Sequence, residues 1–363
     1  MRALRIAVVI AIVLFLALTP GWLLEHLSRD QEEDFFTKPT PAWNGRIELW
    51  HIAEFRTYQG SVTDFLQDRA DRYWKKKDRG VHIDVIGLTV EQYQDRIARG
   101  LTPDAYSFPS GFLYPEALQS FPVDTATLKT GLSPARFQDQ VYAVPILMSG
   151  YFLVGNVQLL SANGFLMPEE GSLDPAVLQA ALDLKQKVPQ LYMPPILAAR
   201  LNLTGQLAAW EQFQKGKVML AVVDARTLGD LNRSASGNLL VESVTFPGYT
   251  DQVLYLGAAK GADAHQVKAL SDFAAYLLTE EQQQRLTNLG ALPTVQLSQA
   301  PVYAEESLDS LYTAAAAFTL PEPFAYQRYK EALTEDALRA LTGDPLGKSS
   351  FWERMTVVES GIL

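Results

Sequence analysis

The first ordered part of the chain alternates between strand-like and helix-like hydrophobic patterns. Apolar and polar residues alternate in RIELWH (46–51) and VHIDVIG (81–87), and this period of two predicts strands. PDAYSF (103–108) is predicted as a third strand. Between these segments, residues 61–77 and 89–99 place their apolar side chains on one helical face. An order of strand, helix, strand, helix and strand predicts parallel crossover connections and an open α/β sheet.

Capping residues support the predicted helix starts. Ser61 is placed as the N-cap of the first helix, and Thr89 with Gln92 predicts a capping box for the second. Asp174 before Pro175 predicts a third start, because proline is favoured in the first turn of a helix.

The second half of the chain predicts a further set of α/β elements. LTGQLAAWEQFQK (203–215) is predicted as a helix that ends at Gly216, and VMLAVV (218–223) as a buried strand. Residues 263–278 and 279–290 predict two more helices, and the chain from Leu308 onward is predicted to be mostly helical, with a break at the prolines of LPEP.

The N-terminus predicts export from the cytoplasm. Ile6 to Leu24 is almost wholly apolar, and as a helix it would be about 28 Å long, close to the thickness of a hydrocarbon core. Arg2 and Arg5 precede this segment and acidic residues follow it, so the positive-inside rule exports the rest. Residues 1–24 are predicted to be an uncleaved membrane anchor or a cleaved signal peptide, and the acidic, proline-rich residues 25–45 a linker.

Composition narrows the class of function. The chain has 363 residues, of which 48% are apolar and 20% charged, so two globular domains are expected. A net charge of −10 argues against a nucleic-acid partner, which requires a basic surface. The sequence contains no cysteine, which excludes disulfides, iron–sulfur centres and thiol nucleophiles.

No motif predicts catalysis or a cofactor. The four histidines are scattered without metal-ligand spacing, and the chain has neither a nucleophile elbow nor a glycine-rich phosphate loop. Neighbouring acids such as Glu169–Glu170 and Glu280–Glu281 fall in loops or helix starts, where the helix dipole favours them. The sequence therefore predicts no enzyme, no metal and no cofactor, although dispersed carboxylates that converge in the fold stay possible.

Six short motifs, in order, carry a resemblance to a known family. They are IELWH, ARGLTPDAYSF, YAVPILMSGYFLVGNVQLLSANGF, WEQFQKGKVMLAVVDAR, ALSDFAAYLLTEEQQQRLTNLGALPT and LRALTGDP. Together they resemble the extracellular solute-binding proteins of ABC transporters, in the sugar-binding group related to maltose-binding protein. The resemblance extends from Ile47 to about Leu363, nearly the whole exported part.

The resemblance implies a fold, a function and partners. The fold would be the periplasmic-binding-protein-like type II α/β fold, two lobes joined by a hinge, with residues 46–146 and 250–300 in lobe 1 and residues 147–249 and 301–363 in lobe 2. A sugar or acidic sugar derivative would be held between the lobes, at the carboxyl ends of their strands. The partners would be ABC permease subunits, with the membrane reached through the N-terminal helix.

Candidate ligand contacts in lobe 1 follow its predicted strands. His51 and Glu54, with Arg56, come after the first strand, where they would bind a ligand or form an exposed loop. Ser107 and Phe108 end the third strand, and Phe108 would stack on a sugar ring or lie in the core. Asp104, which precedes them, has a turn role at least as plausible as a ligand contact.

Candidates in and after the crossover segment complete this set. Ser149 and Tyr151 are the polar residues of LMSGY, where sugar binders of the family usually present polar groups. Tyr255, with Val253 and Leu254, stands where the family often has a glycine pair, and this substitution would reshape the cleft. Trp210 is predicted to lie in the core with Phe213 rather than to bind.

The triplet Asp224-Ala225-Arg226 departs from the family pattern. Many relatives carry Gly-Pro-Trp at this place, where the tryptophan stacks on the sugar. Arg226 brings a flat face with a permanent charge and a bidentate fork. Two roles follow: Arg226 binds an acidic or phosphorylated ligand, or Asp224 and Arg226 form an internal salt bridge that closes a cleft without sugar.

Two functions from different classes remain open. The first is an exported substrate-binding protein that delivers a carbohydrate-like solute to an importer. The second is a signalling or assembly module that retains the fold with an altered cleft, as the non-lipidated N-terminus and the changed cleft residues would allow.

Overall fold

The computed structural model describes residues 45–77, 80–234 and 239–361. Their strands are β1 (Gly45–Ile52), β2 (Val81–Leu88), β3 (Ala105–Pro109), β4 (Ala135–Phe137), β5 (Gln140–Met148), β6 (Tyr151–Asn156), β7 (Leu191–Tyr192), β8 (Leu220–Asp224), β9 (Val241–Phe246) and β10 (Val253–Ala258).

The α-helices of the same residues are α1 (Val62–Lys77), α2 (Val90–Ala98), α3 (Val157–Asn163), α4 (Pro175–Asp183), α5 (Pro195–Arg200), α6 (Trp210–Gln214), α7 (Ala225–Arg233), α8 (Ala264–Leu277), α9 (Glu280–Gln284), α10 (Glu306–Ala314), α11 (Pro323–Leu341) and α12 (Pro345–Ser360). Short 3₁₀ turns occupy Pro115–Ala117, Arg285–Leu289 and Ala315–Ala317.

The larger sheet contains six strands in the order β2-β1-β3-β10-β5-β4. The strand β1 pairs in parallel with both β2 and β3, which confirms the parallel crossovers predicted from the hydrophobic pattern. The strand β10 enters from much later in the chain and pairs antiparallel with β3 and β5. Parallel pairing brings the carboxyl ends of β1, β2 and β3 to one edge of the sheet, where their loops lie together.

The smaller sheet contains four strands in the order β7-β8-β6-β9. The strand β6 lies at its centre, antiparallel to β8 and β9, and all six of its residues are buried. Because β6 runs opposite to β8, Tyr151 at the start of β6 pairs with Asp224 at the end of β8. One edge of this sheet therefore carries both of these candidate residues.

Short crossings join the two sheets. The chain passes from β5 to β6 through Ser149 and Gly150 alone, and returns from β9 to β10 through residues 247–252. A Cβ on Gly150 would lie 2.7 Å from a methyl carbon of Leu311 in α10, so a larger residue here would require the Leu311 side chain to shift. The main chains of the crossings are bonded together, since Ser149 N–H donates to the Gln252 carbonyl at 2.8 Å.

Most of the predicted helix starts are confirmed. Ser61 accepts from the N–H of Asp64, and Asp174 accepts from the N–H of Ala176 ahead of Pro175 in the first turn of α4. Thr89 and Gln92 form the predicted capping box. The helix predicted at 203–215 was wrong over its first seven residues, because α6 begins only at Trp210.

Two predictions on chain organisation are not tested. The anchor or signal (1–24) and nearly all of the linker (25–45) lie outside the described residues, and within 45–361, gaps aside, no helix is both long and apolar enough to span a membrane. The lobe boundaries, 46–146 with 250–300 and 147–249 with 301–363, stay a prediction. The described residues between 45 and 361 belong to one compact unit.

Candidate functional site

The loops at the carboxyl ends of β1 and β2 line a cavity of about 500 Å³, here called the cleft cavity. Its walls are residues 53–57, 60–63 and 89–91, with His51 at the end of β1. Arg226 and Asp230 of α7 form the opposite wall, and α7 follows the smaller sheet in the chain. The cavity therefore lies between elements of the two sheets, at the position where open α/β sheets bind ligands.

His51 is a buried and neutral residue of this cavity. Only 2% of its surface is exposed, and its Nδ1 lies 3.1 Å from the hydroxyl of Ser107 on the neighbouring strand β3. Burial lowers the pKa of the imidazole to about 4, because desolvation disfavours the charged form. At neutral pH the imidazole can exchange hydrogen bonds with a solute without carrying charge.

Charged groups of both signs line the same cavity as His51. Glu54 and Arg56 come from the loop after β1, Glu91 from the first turn of α2, and Arg226 from α7. The Nε of Arg226 donates to Asp230 at 3.2 Å, one helical turn further along. His51, Glu54 and Arg226 of the predicted set thus meet in one cavity, although Arg226 already has an ionic partner in the chain.

Asp224 has a helix-capping role. Its Oδ1 accepts from the N–H of Thr227 at 2.7 Å, so its side chain is the N-cap of α7. The alternative of an internal salt bridge between Asp224 and Arg226 is contradicted, because each of these side chains bonds a different partner. Asp224 and Thr227 face a second cavity, so the first turn of α7 lies between two cavities.

Beside the cleft cavity, α7 contacts the loop after β1. Gly229, Asn232 and Arg233 of α7 meet Tyr58 of the loop, and this group of four residues is here called the α7–Tyr58 contact. Both terminal nitrogens of Arg233 donate to the Tyr58 carbonyl at 3.1 Å, and Nδ2 of Asn232 donates to the Tyr58 hydroxyl at 3.0 Å. A Cβ on Gly229 would lie 2.3 Å from that same carbonyl oxygen. These bonds hold the helix and the loop together.

The second cavity, of about 230 Å³, lies at the edge of the smaller sheet and is here called the aromatic cavity. Its main faces are Tyr192 and Trp210, whose rings are 5.4 Å apart and inclined at 47°. Trp210 also stacks on the buried ring of Phe213 at 5.5 Å and 14°. The lining residues are Tyr151, Tyr192, Pro194, Trp210, Val222, Val223, Asp224, Thr227 and Gln252.

Tyr151 links the aromatic cavity to the second crossing between the sheets. Its hydroxyl donates to Asp251 at 2.6 Å and accepts from the amide of Gln252 at 2.9 Å. The hydroxyl of Tyr326, on α11, donates to the other oxygen of Asp251 at 2.7 Å. Burial and the nearby Asp251 charge raise the pKa of Tyr151 well above its usual range, so the phenol stays protonated and keeps these bonds.

The remaining predicted residues are internal. Phe108 is fully buried and stacks on Tyr255, with centroids 6.0 Å apart, so in this structure Phe108 offers no face to a solute. Ser149 is buried in the first crossing, where its Oγ has no hydrogen-bond partner among the described residues. Asp104 accepts from Glu48 N–H at 2.8 Å and from Gln266 at 2.7 Å, which confirms a structural role.

Several cavity residues were missed at the sequence level. Trp210 was predicted to lie in the core, whereas it is half-buried and lines the aromatic cavity. Tyr192, Thr227 and Gln252 were not singled out, because none belongs to a family motif. The signal that could have found Tyr192 is its place before two prolines in LYMPP, where a strand of two residues ends.

The fold has many relatives among solved structures, although no protein-family model and no curated protein sequence matches this chain. The cyclic α-maltosyl-1,6-maltose binding protein of Arthrobacter globiformis has a TM-score of 0.62 at 15% identity, over 88% of this chain and 99% of that one. An ABC substrate-binding protein of Listeria monocytogenes, solved with cycloalternan, has a TM-score of 0.61 at 12% identity, over 88% and 99%.

A third solved structure with the same fold is an acarbose receptor. The receptor from Streptomyces glaucescens, solved unliganded and with acarbose, has a TM-score of 0.58 at 17% identity, over 87% of this chain and 97% of that one. This chain therefore has the fold of the sugar-binding solute-binding proteins of ABC transporters. The resemblance drawn from the six sequence motifs is confirmed at the level of the fold.

Proposed function

We propose that this protein is an exported substrate-binding protein that captures a carbohydrate-like solute and delivers it to an ABC importer, with no chemistry of its own. The observation that carries the proposal is the fold, whose solved relatives are described as binding proteins for maltose-type and related saccharides. The two cavities lie at the strand ends where such a fold holds its ligand.

The lining groups suit a polyhydroxylated solute. The cleft cavity offers the neutral imidazole of His51, the carboxylate of Glu54 and the guanidinium of Arg226, which together supply donors and acceptors. The aromatic cavity offers the rings of Tyr192 and Trp210, on which the C–H face of a sugar can pack. Polar groups for hydroxyls and aromatic faces for rings are both present.

Capture by closure is also supported by the way the chain connects the sheets. Ser149–Gly150 and residues 247–252 are short links, and a hinge closes by changing backbone angles at a few such positions. Export rests on the apolar segment Ile6 to Leu24 and its charged flanks. Permease subunits as partners, and attachment to the outer side of a cell membrane, follow from the family and complete the proposal.

A second candidate function is a signalling or assembly module that keeps the fold without transport. The α7–Tyr58 contact favours it, because the hydrogen bonds from Arg233 and Asn232 to Tyr58 join α7 to the loop after β1. A transport protein must open to release its cargo, whereas a module that only presents a surface can remain closed.

A thermal-shift screen distinguishes the two functions. The full chain, purified in detergent, would be titrated with neutral sugars, polyols, uronates and sugar phosphates. A solute that binds only the native state adds about 2.7 kcal/mol of stability at a hundredfold excess over its Kd, so a transport protein should show a clear rise in Tm. If none of these solutes raises the Tm, the transport function is rejected in favour of the second candidate.

A further inference from the structure

The aromatic cavity has a charge character that differs from that of the cleft cavity. None of its nine lining residues is lysine, arginine or histidine, whereas Asp224 supplies a carboxylate. Arg226 is the cationic residue closest to Asp224 along the chain. It lines the cleft cavity instead and is bonded there to Asp230. Among its lining side chains, the one formal charge is therefore the negative charge of Asp224, beside aromatic faces.

A second carboxylate strengthens this negative character. Glu211 follows Trp210 in the first turn of α6. Burial raises the pKa of the Tyr192 phenol, and the negative charges of Asp224 and then Glu211 raise it further. Both carboxylates therefore act electrostatically on the same phenol at the wall of the cavity.

The walls are suited to a cation as well as to a sugar ring. The faces of tryptophan and tyrosine carry negative charge density and attract an ammonium group within about 6 Å of the ring centroid. Trp210 is held in place by its stack on Phe213, so its face is preorganised. At about 230 Å³ the cavity is smaller than the roughly 300–1,000 Å³ of drug-sized pockets, which favours a single ring.

We propose that the aromatic cavity binds one ring of an amino sugar, whose protonated amine is recognised by Asp224 and by the faces of Trp210 and Tyr192. This inference rests on the proposed function and specifies its solute, a cationic rather than a neutral or acidic sugar. Gln252 lies in the same wall; its amide nitrogen donates to the Tyr151 hydroxyl and to Asp251, so its amide oxygen is the group that would accept from a hydroxyl of the ring.

The test measures Kd by calorimetry for the full chain with glucosamine, N-acetylglucosamine, glucose and glucuronate. Acetylation removes the charge of the amine and keeps the ring, so glucosamine should bind about tenfold or more tightly than the acetylated sugar. Glucuronate should bind most weakly of the four, because its carboxylate would face Asp224.

The variant Asp224→Asn separates charge from folding. Asparagine is as good an N-cap as aspartate, so the bond to Thr227 and the start of α7 should be retained while the charge is lost. The preference for glucosamine over N-acetylglucosamine should then fall about tenfold, with glucose unaffected. Glu211→Gln should lower it by a smaller factor, since Glu211 is not a lining residue.

The outcomes separate this inference from the proposed function. If glucose or N-acetylglucosamine binds as tightly as glucosamine, the amino-sugar inference is overturned while sugar capture stands. If glucosamine binds equally well to Asp224→Asn, its site is elsewhere and the inference is also overturned. If none of the four binds but another solute of the thermal-shift screen does, only the inference fails. If no solute binds in either experiment, both fail.

Discussion

The cleft cavity and the aromatic cavity lie on opposite sides of the first turn of α7 and are built differently. The cleft cavity is lined mainly by loops after β1 and β2 and by side chains of both charges, with Arg226 and Asp230 on its far wall. The aromatic cavity is lined mainly by side chains of the smaller sheet and its neighbours, with Tyr192 and Trp210 as its largest faces.

Under the proposed function, this difference bears on which cavity would select the solute. In the cleft cavity Arg226 is bonded to Asp230, so a ligand that approaches either group competes with an existing ion pair. In the aromatic cavity the rings present faces that need no partner, and tightly packed aromatic residues often dominate binding energy. We therefore expect the residues of the cleft cavity to affect closure of the cleft. We expect the residues of the aromatic cavity to determine which solute is bound.

The largest expected effect concerns the buried imidazole of the cleft cavity. Because the folded pKa of His51 is about 4 and the unfolded value about 6.5, only the unfolded chain takes up a proton between these values. Stability is therefore lost as the pH falls from about 6.5 to 4, by about 3 kcal/mol in total. Urea unfolding of the wild type and of His51→Asn, at several pH values, measures this contribution.

Carboxylates titrate in both the wild type and His51→Asn. The difference in stability between the two proteins at each pH therefore reports the imidazole alone. His51→Asn should show a shallower loss of stability with acid than the wild type. His265→Asn, which removes an exposed imidazole in α8, is the matched control and should keep the wild-type slope. Equal slopes for His51→Asn and the wild type would contradict the assignment of a buried, neutral His51.

The second effect tests the close approach of α7 to the loop after β1. Alanine normally stabilises a helix by about 1 kcal/mol relative to glycine. In Gly229→Ala the new Cβ would lie 2.3 Å from the Tyr58 carbonyl oxygen, a main-chain atom that cannot rotate away. Overpacking of this kind costs about 1–3 kcal/mol, so after the gain from alanine is subtracted we expect a net loss of up to about 2 kcal/mol in urea unfolding. A stabilised variant would show that the contact is not maintained in solution.

Much of the fold could be predicted from the sequence because local patterns determine it. The alternation in β1 and β2 and the capping box of Thr89 and Gln92 depend on neighbours within a few residues. The helix predicted at 203–215 failed because its apolar residues pack without helical backbone, and only Trp210–Gln214 is helical. Tertiary packing outweighed the local pattern there.

The candidate site was harder to predict, because it depends on contacts between distant segments. The grouping of His51 and Glu54 with Arg226 joins residues about 170 positions apart, and only the order of the family motifs indicated it. The burial of Phe108 against Tyr255 depends on β10 pairing with β3, which no local pattern predicts. Tyr192 and Gln252 lie in segments without a motif, so their meeting required the fold.

A smaller effect is expected when the hydrogen bonds from Arg233 to Tyr58 in the α7–Tyr58 contact are removed. Arg233→Gln removes two N–H groups that donate to the Tyr58 carbonyl, and a typical hydrogen bond contributes about 1 kcal/mol. We expect about 1 kcal/mol of destabilisation in urea unfolding. Arg285→Gln is the control, because Arg285 forms an exposed pair within one helical segment and should change stability little.

The smallest change in stability is expected at Arg226, whose replacement sharpens the division between the cavities. Its pair with Asp230 is partly exposed and spans one helical turn, so Arg226→Gln should cost less than about 0.5 kcal/mol in urea unfolding.

If Arg226 contacts an acidic solute, this variant should lose the thermal shift with uronates and sugar phosphates. If the aromatic cavity determines specificity, the response to glucosamine should persist in Arg226→Gln and disappear in Asp224→Asn. A loss of the glucosamine response in both variants would show that the two cavities act as one site.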